Sequence, residues 1–201
     1  MLDSIHSILQ DYQPKILGEK RRYAVLLPLI WQENTWQVLY QVRSESISQP
    51  GEVSFPGGAL EEGESYAQAA VREAREELNL KDADIDLLGE IDYLVFGQTT
   101  IHCFVGQLKL ADWRQIKPNE EVARLFTVPL ESLLEQEPTY YSLTSTVDAD
   151  SAFPFDRIRN GQDYPFSHNA RRIPFYDQLG ETIWGMTAQF THRFTEIVKE
   201  A

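Results

Sequence analysis

Apolar and polar positions alternate along the chain in short runs that predict a mixture of strands and helices. Two apolar runs, at residues 23–31 and 35–43, are separated by a polar turn and predict a β-hairpin. Further β-rich runs follow at residues 83–96, 99–110 and 122–130. The segment 137–181 has aromatic and turn residues without clear periodicity, so it predicts short strands and an irregular loop. Together these runs predict a mixed β-sheet.

Two helices are predicted near the ends of the chain, where apolar residues recur every three to four positions. Residues 2–11 carry such a stripe, formed by Leu2, Ile5, Ile8 and Leu9. We expect this short amphipathic helix to pack on the rest of the chain or to form the contact of a homodimer. Residues 187–198 predict a C-terminal helix that carries Phe190, Phe194 and Ile197.

A third helix is predicted within residues 57–80, where a glycine turn at Gly57 and Gly58 leads into a helical pattern. Small apolar residues dominate one stripe of this helix and suit close packing against a sheet. The stripe consists of Ala67, Val71, Ala74 and Leu78. This face is expected to be the buried one.

The other side of the same helix carries Glu73, Glu76 and Glu77 at positions i, i+3 and i+4. Like charges at this spacing repel, by about 0.2–0.5 kcal/mol per pair in an isolated helix. A divalent cation among the oxygens explains such a cluster, because Mg²⁺ takes oxygen ligands and leaves other positions to water and phosphate. The competing interpretation is a solvated acidic surface. Arg72 lies one turn before Glu76 and is placed to pair with it.

Composition and charge narrow the expected partners. The chain has 201 residues, 42% of them hydrophobic, which is enough for a single domain with one ordinary core. A net charge of -13 would repel nucleic acid backbones and anionic membranes, so neither is expected as a partner. Cys103 is the only cysteine, so an internal disulfide is excluded, and its strand-like surroundings predict a small core residue. Because no signal-like or membrane-spanning run is present, we expect a cytoplasmic protein.

The spacing around the acidic helix resembles a known motif. Gly58, five residues, Glu64, seven residues and the run from Arg72 to Leu80 follow the Nudix box, which reads G, five residues, E, seven residues, R-E, apolar, any, E-E, any, G, apolar. One fixed position differs, since Asn79 stands where the family has Gly, and Asn also accepts the left-handed conformation that ends a helix. The resemblance implies an α/β/α sandwich of the Nudix type and a pyrophosphohydrolase that cleaves a nucleoside diphosphate linked to another moiety.

The same resemblance implies a metal site for Mg²⁺ or Mn²⁺ and roles for its neighbours. The expected metal ligands are Glu73, Glu76, Glu77 and a backbone carbonyl of Gly57 or Gly58. Arg72 would fix the direction of Glu76. Glu64 would either buttress the loop before the helix or cap the helix N-terminus. The general base is Glu76 or a residue outside the box, where Glu121 is the candidate and Glu120 is nearly equivalent.

The resemblance becomes more specific outside the box and covers most of residues 38–198. Arg43-Ser44, then Gly51 and Phe55-Pro56-Gly57-Gly58, are similar to the signature of the coenzyme A pyrophosphatase subgroup. The run Ile183-Trp184-Gly185 is also similar to that subgroup. Three departures stand out, the first being that the chain is one residue shorter than the signature between Ser44 and Gly51. Leu39-Tyr40-Gln41 replaces Leu-Leu-Thr, and the second Arg of the signature is missing, with Ser48 or Gln49 nearest.

This subgroup implies coenzyme A or a derivative as substrate, cleaved to 3',5'-ADP and 4'-phosphopantetheine. Arg43, Ser44 and Phe55 are then expected to contact the substrate. The alternative substrate is ADP-ribose or another nucleoside diphosphate sugar. A different class of function is a non-catalytic Nudix module that binds a nucleotide as a sensor. The three carboxylates in register favour the enzyme, because a module that only binds a nucleotide has no need of them.

Overall fold

The computed structural model describes residues 2–14, 16–144, 147–148, 151–166 and 170–200, and a long hairpin lies at its centre. The hairpin pairs β1 (Arg21–Gln32) with β2 (Thr35–Arg43) in antiparallel register. Its turn residues Glu33 and Asn34 both have positive φ, at 55° and 61°. Two successive left-handed residues match the right-handed twist of the flanking strands. The predicted hairpin is therefore confirmed.

The main sheet has seven strands in the order β3-β2-β1-β6-β5, with β4 paired to β1 and β7 paired to β2. The further strands are β3 (Val53–Ser54), β4 (Gly57–Ala59), β5 (Ile85–Phe96), β6 (Thr99–Leu108) and β7 (Val122–Pro129). β1 and β6 run parallel, whereas the other pairs are antiparallel. The sheet is mixed, as the apolar runs predict.

Helices cover both faces of this sheet. α2 (Tyr66–Leu78) packs on one face, where its alanines meet β1 and β6. α4 (Gly185–Glu200) packs on the other face through Phe190 and Phe194. The result is the α/β/α sandwich that the resemblance implies. Cys103 lies fully buried on the α4 side, as a core residue.

The segment predicted to hold short strands and an irregular loop contributes two strands to a small second sheet, and the third strand follows directly after it. A short helix, α3 (Leu130–Glu135), precedes it. Its strands are β8 (Thr139–Leu143), β9 (Arg171–Tyr176) and β10 (Ile183–Trp184), in the order β10-β9-β8. Residues 145–146, 149–150 and 167–169 of the predicted irregular segment lie outside the described residues. β10 leads directly into α4, which begins two residues earlier and ends two residues later than predicted.

The N-terminal helix α1 (Leu2–Asp11) has the predicted bounds. Each of its side chains that the structure describes is exposed, including Leu2, Ile8 and Leu9. The expectation that α1 packs on the rest of the chain is therefore wrong, and the homodimer contact stays a prediction. Elsewhere in the described ranges, no helix combines the length and apolarity needed to cross a bilayer.

Candidate active site

Local sequence fixes both ends of α2, the helix that carries the acidic cluster. Ser65 caps its N-terminus, because Ser65 Oγ accepts from the Gln68 backbone N at 3.3 Å while Gln68 Oε1 accepts from Ser65 N at 2.9 Å. Asn79 ends the helix in the left-handed conformation, with φ 55° and ψ 46°. The predicted cap at Asn79 is confirmed. The cap at the other end is Ser65, and Glu64 has a different partner.

The two glycines before α2 form the short strand β4 and not the predicted turn. Gly57 pairs with Val25 and Gly58 with Ala24 of β1. A Cβ atom at Gly57 would overlap the Ala24 carbonyl oxygen, and one at Gly58 would overlap the Glu73 carboxylate. Glycine is needed here because backbone and carboxylate approach closer than a side chain allows. This contact brings β4 directly against the acidic part of α2.

The buried face of α2 is rotated from the predicted one. Ala74 and Leu78 are buried as predicted, whereas Ala67 and Val71 are only half-buried and border an open groove with Leu87. The buried positions in their place include Ala69, Ala70 and Glu77. Alanines allow the helix to lie close to the sheet, and the Glu77 carboxylate in its last turn points inward. The acidic cluster is thus not a uniformly solvated face.

Glu77 is the most buried carboxylate of the cluster, with 4% of the residue exposed. Its Oε2 accepts hydrogen bonds from Gln41 Nε2 at 2.7 Å and from Gly57 N at 3.3 Å. Burial raises the pKa of Glu77 to about 7, against the lowering effect of those two donors, and the nearby Glu73 and Glu121 carboxylates also raise it. Glu77 makes no ion pair with the described Arg, Lys and His residues. A buried carboxylate of this kind needs either a proton or a bound cation.

Arg72 organises the other carboxylates of α2. Its Nη1 lies 2.8 Å from Glu73 Oε1 and 3.3 Å from Glu76 Oε2, and its Nε lies 2.9 Å from Glu64 Oε1. Its Nη2 donates to the Ala59 carbonyl at 3.0 Å. The pKa of Glu64 is lowered by this guanidinium, whereas burial raises the pKa of Glu73 despite the same partner. The predicted pairing of Arg72 with Glu76 is confirmed, and Glu64 takes the predicted buttress position.

Glu121 approaches the cluster from a loop that is tied to α2. Asn119 N donates to the Glu77 carbonyl oxygen at 2.8 Å, and Ser44 N donates to the Glu121 carbonyl oxygen at 2.9 Å. The Glu121 carboxylate raises the pKa of both Glu73 and Glu77, so its charge acts on the site. Glu120 affects these two pKa values less than Glu121 does. The structure therefore distinguishes two neighbours that the sequence treats as nearly equivalent.

The three residues expected to contact the substrate have different environments. Arg43 binds Ser48 within its own loop, with Nε 2.7 Å from the Ser48 carbonyl oxygen and Nη2 3.2 Å from Ser48 Oγ. Ser44 Oγ lies 2.7 Å from Ser46 Oγ in the same exposed loop. Phe55 is 4% exposed and stacks on Tyr40 in the core, with ring centroids 5.1 Å apart. The ring supports the core under the loop, and the substrate contact of Phe55 stays a prediction.

The carboxylates fit a hard divalent cation in their chemistry, although they are not preassembled around one point. In the ranges described, no three His, Cys, Asp or Glu side chains converge closely enough to hold an ion as they stand. Glu73 and Glu76 are turned toward Arg72, while Glu77 is held on the inner side by Gln41. Among the described residues Arg72 binds only Oε1 of Glu73, so Oε2 of Glu73 remains available to an ion. The cluster of oxygen donors of like charge is the set that Mg²⁺ and Mn²⁺ prefer.

Gln41 belongs to this site, although the sequence singles it out only as part of a departure from the subgroup signature. Gln41 is 1% exposed, and its Oε1 is buried without a hydrogen-bond donor among the described residues. One feature of the sequence could have indicated its role: a polar side chain interrupts the apolar run of β2. In the structure this side chain faces α2. Such a position is unusual unless the amide has a partner, since buried polar groups are nearly always hydrogen-bonded.

Comparison with known proteins agrees with this geometry. The sequence model of the NUDIX domain matches residues 20–147. The protein named Nudix hydrolase NudL of Photorhabdus laumondii is 30% identical over 189 residues, which are 92% of this chain and 90% of the relative. The mouse peroxisomal coenzyme A diphosphatase NUDT7 is 31% identical over 123 residues, which are 59% of this chain and 51% of the mouse protein.

Among solved structures, a MutT/nudix family protein from Enterococcus faecalis has a TM-score of 0.53. The likeness covers 99% of this chain and 70% of that chain at 11% identity, so it concerns the fold alone. The domain match is the stronger finding, because it spans more than half of the chain and contains the whole acidic helix. On this basis the protein belongs to the Nudix family and is a pyrophosphohydrolase of nucleoside diphosphate derivatives.

Proposed function

We propose that the protein hydrolyses the pyrophosphate bond of coenzyme A or a close derivative. Water adds its oxygen to one phosphorus, the bond from that phosphorus to the bridging oxygen breaks, and a proton is released at neutral pH. The products are 3',5'-ADP and 4'-phosphopantetheine. The observation that supports hydrolysis is the Glu77 carboxylate. It is buried, it accepts two hydrogen bonds, and no described Arg, Lys or His residue forms an ion pair with it.

Nudix hydrolases generally use divalent metal ions, and we propose Mg²⁺ or Mn²⁺ here. Glu73 and Glu77 would hold the ion most firmly, with Glu76 and a carbonyl of Gly57 or Gly58 as further ligands. Such an ion neutralises charge on the phosphate oxygens and makes water a stronger nucleophile at neutral pH. The ligand geometry depends on Arg72, which holds Glu73 and Glu76 through one nitrogen and is itself anchored by Glu64.

For the general base, the surroundings favour Glu121 over Glu76. Glu76 lies 3.3 Å from the Arg72 guanidinium, so its carboxylate is already engaged in an ion pair. Glu121 is exposed, its carboxylate makes no ion pair in the described part of the chain, and its charge reaches both Glu73 and Glu77. It is therefore free to accept a proton from water above the cluster.

The choice of coenzyme A rests on the loop that begins at Arg43 and on the name of the mouse relative. This loop lies beside Glu121, to which Ser44 is joined through the backbone. Arg43 uses Nε and Nη2 on Ser48, so Nη1 remains for an anionic substrate group. Ser48 is one of the two residues nearest to the missing second Arg of the signature, and here it orients the first Arg.

The decisive experiment measures kcat and KM for coenzyme A, 3'-dephospho-coenzyme A and ADP-ribose with Mg²⁺ or Mn²⁺, and identifies the products by mass. We expect cleavage of coenzyme A that EDTA abolishes, and a loss of roughly a hundredfold or more in kcat for Glu77→Gln. Arg43→Ala should raise KM for coenzyme A by roughly tenfold or more, as the loss of a charge-assisted bond predicts.

Other outcomes have defined meanings. Efficient cleavage of ADP-ribose with no cleavage of coenzyme A would contradict the coenzyme A proposal and favour the alternative substrate. Activity that persists in EDTA would contradict the metal-dependent mechanism. Tight binding of a nucleotide with no turnover of any substrate would favour the sensor function.

A further inference from the structure

We infer that Gln41 is a positioning residue for the metal site, which directs one oxygen of Glu77 toward the ion. This inference rests on the proposed function. It assigns a role to a residue that lies outside the acidic helix, on strand β2. Gln41 acts through Glu77 and makes no contact with the reacting atoms.

Two hydrogen-bond donors converge on a single oxygen of Glu77. Gln41 Nε2 and Gly57 N both bind Oε2 of Glu77, at 2.7 Å and 3.3 Å. Among the described residues, no hydrogen-bond donor or ion-pair partner engages Oε1 of Glu77. The carboxylate is therefore held by one oxygen and presents the other. Fixing a ligand through its second atom is how outer partners commonly orient metal ligands.

The Gln41 side chain is itself held in place. Its side chain is buried, and Nε2 also lies 3.3 Å from Ser54 Oγ of the neighbouring strand β3. β2 and β3 pair at this position, with Gln41 opposite Ser54. The backbone of Gln41 is fixed by strand pairing and its Nε2 by the Ser54 hydroxyl, so both contacts limit rotation of the amide away from Glu77. The site thus gains a fixed donor from the most ordered part of the sheet.

The oxygen of the Gln41 amide also supports this role, because it is left without a partner. Gln41 Oε1 is buried without a donor among the described residues. Leaving a buried acceptor unpaired is unfavourable. An amide that only stabilised the core would be replaced at lower cost by an apolar side chain. Its orientation is explained if Nε2 must face Glu77, and a water molecule that enters with the ion can then bind Oε1.

β2 offers a matched control at Gln37. Gln37 lies four residues before Gln41, so it faces the same side of the strand. It is also buried, at 6% exposed, but it pairs with Pro129 and Ile30 far from Glu77. Replacing either residue by Met keeps the length of the side chain and removes the amide. Only the change at position 41 removes a donor from Glu77.

The experiment titrates Mn²⁺ into wild type, Gln41→Met and Gln37→Met by calorimetry, and measures Tm in EDTA. We expect Gln41→Met to weaken Mn²⁺ binding by about 10–100-fold, as for other partners of metal ligands, and Gln37→Met to leave it unchanged. In kinetics, Gln41→Met should raise the half-saturating Mn²⁺ concentration by a similar factor, and excess Mn²⁺ should restore part of kcat. A purely structural role would lower Tm in EDTA without changing Mn²⁺ affinity.

Gln41→Asn serves as the second variant should the Met variant not fold. It keeps the amide but shortens the side chain by one methylene, so the amide nitrogen no longer reaches Oε2 of Glu77. Mn²⁺ affinity equal to that of wild type in either folded variant would overturn the role of Gln41 and leave the proposed function intact. Failure of wild type to bind Mn²⁺ would instead overturn the proposed function, and this inference with it.

Discussion

The burial of Glu77 opposes the stability of the fold, although under the proposed function the same residue would favour the reaction. Its carboxylate is buried beside Glu73 and Glu121, with two neutral amides as its donors. Desolvation of an ionised carboxylate is unfavourable unless a cation or several donors offset it. Without metal, Glu77 is therefore a source of strain in the folded state. With metal, the same charge becomes a source of affinity.

This environment predicts how stability depends on pH in the metal-free protein. The pKa of Glu77 is about 7 in the folded state and 4.5 when unperturbed, so between these values only the folded state keeps the proton. The contribution of Glu77 to the free energy of unfolding therefore falls as pH rises through this window and levels off above it. Glu77→Gln removes this dependence. At pH 8 in EDTA the variant should be more stable than wild type by on the order of 2–3 kcal/mol.

Denaturant unfolding of both proteins in EDTA between pH 4 and pH 8 measures this difference. The two stabilities should converge near pH 4, where Glu77 is protonated in both states. Adding Mn²⁺ at pH 8 should stabilise wild type much more than Glu77→Gln. A variant less stable than wild type at pH 8 in EDTA would mean that Gln41 and Gly57 offset the burial of Glu77 more than we infer.

At the scale of elements, the close contact of β4 with β1 and α2 places the acidic cluster. Gly57 faces the backbone of β1, while Gly58 faces the carboxylate of Glu73. The two neighbouring glycines thus meet different kinds of neighbour. A rigid backbone cannot yield to an added methyl group, whereas the end of a Glu side chain can rotate away.

This difference predicts distinct effects of two similar substitutions. Gly57→Ala should lower the free energy of unfolding by about 1–3 kcal/mol, because the Cβ atom would overlap the Ala24 carbonyl and the Val25 backbone. Gly58→Ala should lower it much less but displace Glu73, and so reduce Mn²⁺ affinity and kcat by roughly tenfold or more. Thermal unfolding in EDTA and Mn²⁺ titration separate the two effects. Equal stability losses with unchanged metal binding in Gly58→Ala would contradict the proposed placement of Glu73.

At the scale of the whole molecule, α1 stands apart from the sandwich that holds the site. Its described side chains are exposed, and the two cores are formed by the sheet, α2, α3 and α4. Deleting residues 2–11 should therefore change the free energy of unfolding by no more than about 0.5 kcal/mol, as for surface changes in general. The kinetic constants should also remain unchanged. Denaturant unfolding and steady-state assays at low protein concentration measure both effects.

Light scattering of the full chain and the deletion variant tests the predicted homodimer at the same time. A dimer that the deletion dissociates would agree with the dimer contact expected for α1. A large loss of stability that does not depend on protein concentration would contradict the exposed position of α1. In that case the helix would pack on its own chain in solution.

Much of the fold could be predicted from local patterns, because each depends on neighbours in the sequence. The hairpin follows from two apolar runs around Glu33 and Asn34, and the end of α2 follows from the tolerance of Asn79 for a left-handed conformation. The contact of Arg72 with Glu76 follows from helix geometry. These interactions span one turn of helix or one hairpin, so the residues that decide them lie close together in the chain.

The helix that carries the carboxylates could be predicted from the sequence, and the resemblance to the Nudix box also predicted the sandwich. Only the tertiary structure decided which carboxylate is buried, because burial depends on how α2 is rotated against the sheet. The tertiary structure also places Gln41 against Glu77 and Phe55 in the core, and it makes Glu121 affect the pKa of Glu77 more than Glu120 does. Those contacts join residues tens of positions apart, and no local periodicity encodes distances between them. The physical reason is that packing and desolvation are set by the whole fold, whereas helix and turn propensities are set by a few neighbouring residues.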